Sequence, residues 1–171
     1  LFINLLTDSL PAIAIGMEPS EESLLLEKPR DPSVGILTKD FVIKMLGQGF
    51  LIAVASMTAY HMGLRENTAL ATTMAFSVLT LARLFHGFNC RGKESIFSLG
   101  FTTNPYSIYA FLGGTILLLS VLFIPALHGL FHVVTLSVKM VGVLFLLAFL
   151  PTVIIQTIKA ISDVKNARLF S

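Results

Sequence analysis

Five apolar runs dominate this chain: Leu1 to Gly16, Phe41 to Tyr60, Thr68 to Cys90, Tyr106 to Leu130 and Val133 to Ile158. Lipid offers no hydrogen-bonding partner to the backbone, so a run of roughly 17 to 25 apolar residues can cross a bilayer by becoming helical. Four of the runs reach that length, and the first begins at residue 1. A chain that is 54% hydrophobic and 13% charged, with mean hydropathy +0.82, is excluded from the ordinary soluble domains. The predicted fold is an all-α membrane protein, a bundle of five transmembrane helices, with spans at about 1–16, 41–60, 68–90, 106–130 and 133–158. The lipid bilayer is its expected surrounding, and no nucleic-acid partner is expected.

The first run has no basic segment or cleavage motif of a signal peptide ahead of it. Opening inside a span, the chain reads as a piece of a longer one. Cys90 is the single cysteine, which rules out an intrachain disulfide and metal–thiolate spacings.

Loop charges set an expected orientation. If the helices alternate, one side collects Lys28, Arg30, Lys39 and Lys44, then Arg91 and Lys93, then Lys159, Lys165 and Arg168; the other receives Arg65 and Lys139. The positive-inside rule places the first group in the cytosol, so loops 17–39 and 91–105 and the C-terminal tail are expected there. The segment Met17 to Lys39 is dense in proline and mixed charge and reads as a solvated connector, with Leu24, Leu25 and Leu26 packing on a neighbour.

The first run also carries the polar residues that point to chemistry. Asn4, Thr7 and Asp8 are spaced i, i+3, i+4, so a regular helix sets all three on one face. A carboxylate in hydrocarbon costs at least about 2.5 kcal/mol and is normally retained for ion or proton handling. An amide, a hydroxyl and a carboxylate suit a hard cation such as calcium, which takes about six to eight oxygens, so further ligands must come from elsewhere. Pro11 deletes one helical hydrogen bond and is expected to loosen the helix near Thr7 and Asp8, freeing carbonyl oxygens.

Asn4-Leu5-Leu6-Thr7-Asp8, followed by Leu10-Pro11-Ala12 and Gly16, resembles the sixth transmembrane helix of P-type ATPases of the calcium-pump branch. Glu27-Lys28-Pro29-Arg30 is similar to an element of the loop that follows it, and Leu84-Phe85-His86-Gly87-Phe88-Asn89 to the end of the eighth helix. The resemblance covers all of 1–171, as the sixth to tenth helices of a ten-helix membrane domain. It implies a parent enzyme that uses ATP and magnesium, cycles through an aspartyl-phosphate and exports calcium as its transported substrate. The partners implied are the preceding helices and cytosolic domains of the same parent chain. No Asp-Lys-Thr-Gly run occurs here, so no catalytic residue lies in this chain. Asn4, Thr7 and Asp8 match the family's ion-ligand positions. An amide at position 4, where the sodium/potassium branch usually has a carboxylate, favours calcium.

One departure stands out. Calcium pumps that carry two ions have a carboxylate on the eighth helix, and the matching residue here is Arg83. The resemblance then implies a lost second site and one calcium per cycle, as in some bacterial members. Depth agrees: Asp8 lies ten residues before Glu18 and Arg83 eight before Arg91, so at about 1.5 Å per residue both are set roughly 12 to 15 Å from one boundary. Arg83 is expected to pair with Asp8 or with carboxylates of the preceding helices. The cysteine-poor composition and Arg83 together point to a bacterial plasma membrane. The alternatives are a pump for another cation such as manganese, or a proton-coupled secondary transporter using Asp8 and Arg83, which would call for inverted repeats that are not visible.

Other signals are weaker. His128 and His132 have metal-ligand spacing but fall at a turn, where solvated histidines are expected, as for His61. His86 reads as a packing residue one turn from Arg83. Gly47, Gly49, Gly113 and Gly114 read as close-packing sites. Pro125 and Pro151 are expected to kink their helices, and the last two spans, almost bare of polar groups, to be scaffold.

Overall fold

A computed structural model describes residues 2–19, 35 and 37–169. Among them every regular element is helical: α1 (Phe2–Gly16), α2 (Lys39–Leu64), α3 (Thr68–Asn89), α4 (Ile96–Leu99), α5 (Pro105–Phe123), α6 (Pro125–Phe131) and α7 (Val138–Leu169). Four of these, α2, α3, α5 and α7, are long and apolar enough to cross a membrane. α1 has 15 residues in the described part.

The helix starts follow local chemistry. Thr38, Asn67, Ser95 and Asn104 each accept a backbone N–H of the first turn through a side-chain oxygen, which satisfies an amide the helix itself leaves unpaired. Pro105 and Pro125 stand in the first turn of α5 and α6, where their missing N–H costs nothing. Pro125 does more than kink the predicted 106–130 span. It divides it, because Ile124 takes an extended conformation (φ −93°, ψ 107°) and ends α5, as the residue before a proline prefers. The last span likewise starts at Val138 instead of Val133, after a non-helical stretch in which Val134 N–H donates to Thr73 Oγ1 at 3.1 Å. Pro151 and Pro11, by contrast, sit inside continuous helices.

α3 is the hub. It packs against α2, α7, α5 and α1 and has twelve buried residues where α2 has four. Ala59 of α2, Met74, Val78 and Leu81 of α3, Leu118 and Leu122 of α5, and Leu144 and Ala148 of α7 form the core. Gly63 makes the tight α2–α3 turn possible: a Cβ there would lie 2.6 Å from the Ala71 Cα. Gly114 of α5 is similarly pressed against Leu84, and Gly87 of α3 against the ring of Pro11. A methyl group added at Gly47 or Gly49 would meet nothing within 4 Å, so the close-packing expectation fails for them among the described residues. They lie on α2, much of whose apolar surface, including Phe41, Leu46 and Phe50, is exposed.

Candidate ion-site helix and the clamp at its end

α1 brings Asp8 against α3, where Arg83 Nη2 donates to Asp8 Oδ2. The two residues of the expected pair therefore meet, across 75 positions of chain. Both side chains remain partly accessible, 34% for Arg83 and 44% for Asp8, so the pair lies on an open side of this bundle. The backbone of α1 passes through Asn4 and Thr7, but their side chains lie outside the described residues. Among the described residues no three His, Cys, Asp or Glu side chains gather into a metal cluster, and Asp8 alone cannot complete the oxygen shell of a calcium ion. His128 Nε2 is within hydrogen-bond distance of the Leu122 carbonyl oxygen (3.1 Å), and His132 ends α6 in the left-handed region (φ 53°); both serve the turn. The Glu27–Arg30 motif and the Leu24–Leu26 cluster lie outside the described residues.

Below this pair, at the end of α1, is a more enclosed polar centre. Arg91 has a side chain with no accessible surface. Its Nε donates to both oxygens of Glu18 (3.2 and 2.9 Å) and its Nη2 to Glu18 Oε1 at 2.7 Å. The other guanidinium hydrogens go to the carbonyls of Gly100 and Phe101 and to Thr103 Oγ1. Asn104, fully buried, donates to Glu18 Oε2 (2.6 Å) and to the Ala14 carbonyl (2.8 Å). Hydrogen bonding from Arg91 holds the Glu18 carboxyl below its ordinary range, against desolvation and with help from Asn104 and the Arg91 charge.

α7 makes a second polar seam. Thr152 Oγ1 accepts from Asn89 Nδ2 (3.0 Å), and Gln156 Nε2 donates to Asn89 Oδ1 (2.8 Å) while its Oε1 accepts from Ile96 N–H. Lys159 Nζ donates to the carbonyls of Asn89 (2.7 Å), Gly92 (2.6 Å) and Glu94 (3.3 Å). Asp163 Oδ2 accepts from Ser95 N–H and Ser98 Oγ. His86 Nδ1 lies 3.2 Å from Asn89 Nδ2, so His86 borders this seam. Beyond the expected scaffold role, α7 places a polar stripe along the loop after α3. The stripe was visible as Thr152, Gln156, Lys159 and Asp163 at i, i+4, i+7 and i+11, a helical repeat at the edge of the apolar run.

An all-helical, lipid-length bundle that carries a carboxylate–guanidinium pair inside its apolar part defines an integral membrane protein of the ion-handling kind. More particularly, the chain belongs to the family described as "Cation transporting ATPase, C-terminus", which matches residues 1–161. It is 41% identical over 141 residues to a calcium-transporting ATPase of Bacillus subtilis (strain 168), covering 80% of this chain and 16% of that protein. It is 32% identical over 178 residues to calcium-transporting ATPase 1 of Bacillus cereus, 93% of this chain and 20% of the relative. Mouse calcium-transporting ATPase type 2C member 1 is 30% identical over 171 residues, 98% of this chain and 18% of the relative. The chain thus spans about a sixth to a fifth of the length of these relatives.

Proposed function

We propose that this chain is the ion-binding and scaffold portion of an ATP-driven calcium efflux pump, with Asn4, Thr7 and Asp8 contributing calcium ligands. The observation that carries the reading is the Asp8–Arg83 pair, with support from the names of the relatives. The guanidinium is a fixed cation beside the one carboxylate of the α1 site, where a second divalent ion would otherwise need its negative ligand. The pump then moves one calcium per cycle. The remaining oxygens come from the preceding helices of the parent, and ATP with magnesium from its cytosolic domains. The end bearing Glu18, Arg91 and Lys159 faces the cytosol of a bacterial plasma membrane, in keeping with the excess of lysine and arginine there.

The test uses the full-length parent in sealed vesicles, counting calcium moved per ATP. The expected ratio is near one, with transport lost in Asp8→Asn and the ratio raised toward two in Arg83→Glu. A ratio near two in the unmodified pump, or an unchanged ratio in Arg83→Glu, overturns the single-ion reading. Calcium transport that survives Asp8→Asn overturns the ligand assignment.

A further inference from the structure

The clamp on Glu18 and the polar stripe of α7 grip the two ends of one segment, the loop from Asn89 to Asn104. From the stripe, Lys159, Gln156 and Asp163 hold five backbone groups of that segment: the carbonyls of Asn89, Gly92 and Glu94 and the N–H groups of Ile96 and Ser95. From the segment, Arg91 and Asn104 hold the end of α1 through Glu18 and the Ala14 carbonyl. The loop has little freedom between these grips. Arg91 is tied to its own Gly100 and Phe101 carbonyls, and Phe101 stacks on Phe88 of α3 with ring centroids 5.4 Å apart. Asp8 lies six residues before Ala14 on an unbroken helix, about 9 Å away along its axis.

We propose that Arg91 is a positioning residue for the Asp8 site and that α7, acting through Lys159, sets the placement of Arg91, so that the last helix tunes calcium affinity. The inference rests on the reading of Asp8 as an ion ligand. Pro11, between Asp8 and Ala14, removes one hydrogen bond of α1, but the helix runs continuously through it, so a shift of the gripped end is carried along the axis to Asp8, which must be held within a fraction of an ångström to ligate well. A guanidinium with every donor direction used specifies one geometry in a way that an apolar contact of the same volume does not.

The experiment measures calcium-activated ATP hydrolysis by the full-length parent, recording the calcium concentration for half-maximal rate, the maximal rate and the melting temperature. The variants are Glu18→Gln, Arg91→Met, Lys159→Met and the double variant Arg91→Met/Lys159→Met. Each single change is expected to raise the half-maximal calcium concentration about fivefold or more while the maximal rate stays within about twofold. Because the two residues act in series, the double variant is expected to be no worse than Arg91→Met alone. Glu18→Gln keeps an acceptor for Asn104 and carries the test if Arg91→Met does not fold. Effects that multiply in the double variant overturn the relay, as does a fall in maximal rate and melting temperature at unchanged calcium dependence. Asp8→Asn is assayed alongside: a normal calcium response there sinks the ligand reading itself, whereas an impaired response there with normal responses in Glu18→Gln and Lys159→Met sinks the relay alone.

Discussion

Arg91 reaches Glu18 across 73 positions of chain and grips both of its carboxylate oxygens, at 2.9 Å from Nε and 2.7 Å from Nη2. The guanidinium is fully enclosed while the carboxylate keeps 19% of its surface. Removing the carboxylate would strand a buried cation, whereas removing both partners would not. Glu18→Ala is therefore expected to destabilise the parent by about 3 kcal/mol, the lower part of the range for a broken buried pair because Glu18 is partly solvated. The double change Glu18→Ala/Arg91→Met is expected to recover part of that loss. Thermal unfolding of the detergent-solubilised protein measures both.

The same pair sets a pH dependence. Arg91 lowers the folded-state pKa of Glu18 from its ordinary 4.5, so the folded state favours the charged form more than the unfolded chain does. The stabilisation is complete above the unfolded value and is lost as pH falls through the folded one. The stability difference between the unmodified protein and Glu18→Gln is expected to be constant at neutral pH and to shrink below about pH 4.5. A difference that changes between pH 6 and 8 would show that another group carries it.

The α7 seam offers a graded comparison at one position. Gln156 is buried, giving a donor to Asn89 Oδ1 and an acceptor to Ile96 N–H. Gln156→Leu leaves both partners unpaired, at about 1 to 3 kcal/mol each. Gln156→Glu keeps the acceptor for Ile96 but sets a carboxylate oxygen against Asn89 Oδ1 and buries a charge, so it is expected to cost as much as leucine or more. Melting temperatures of the two variants decide the order.

The spans were legible because hydropathy is a local property, and the division before Pro125 follows from a proline that was visible in the apolar run. The Asp8–Arg83 meeting was legible too, through depth: two charges at similar distance from one boundary have few partners to choose from. Arg91 shows where such reasoning stops. In the sequence it is a loop cation beside Lys93, and nothing local separates it from a solvated charge; its burial comes from carbonyls ten residues onward and a carboxylate 73 residues back. Gly47 and Gly49 mark a different limit, since a small residue permits a close approach without requiring one. The α7 stripe was legible in spacing and was missed because its polar members straddle the end of the apolar run instead of interrupting it.

The close packing between α3 and α5 yields the last expectation. A methyl group added to Gly114 would fall 2.5 Å from Leu84 Cδ2, and Leu84, at 1% exposure, has no solvent to move into. Gly114→Ala must then push the helices apart or force Leu84 off its rotamer, at about 1 to 3 kcal/mol. Leu84→Ala alone leaves a cavity and costs about 2 to 5 kcal/mol. In the double variant the added methyl enters the space that the leucine vacated, so the combined loss is expected to be smaller than the sum by about 1 kcal/mol or more, the coupling expected of residues in direct contact. Unfolding free energies or melting temperatures of the three variants test this. Additive losses would mean that the α3–α5 crossing is looser than the contact between Gly114 and Leu84 requires.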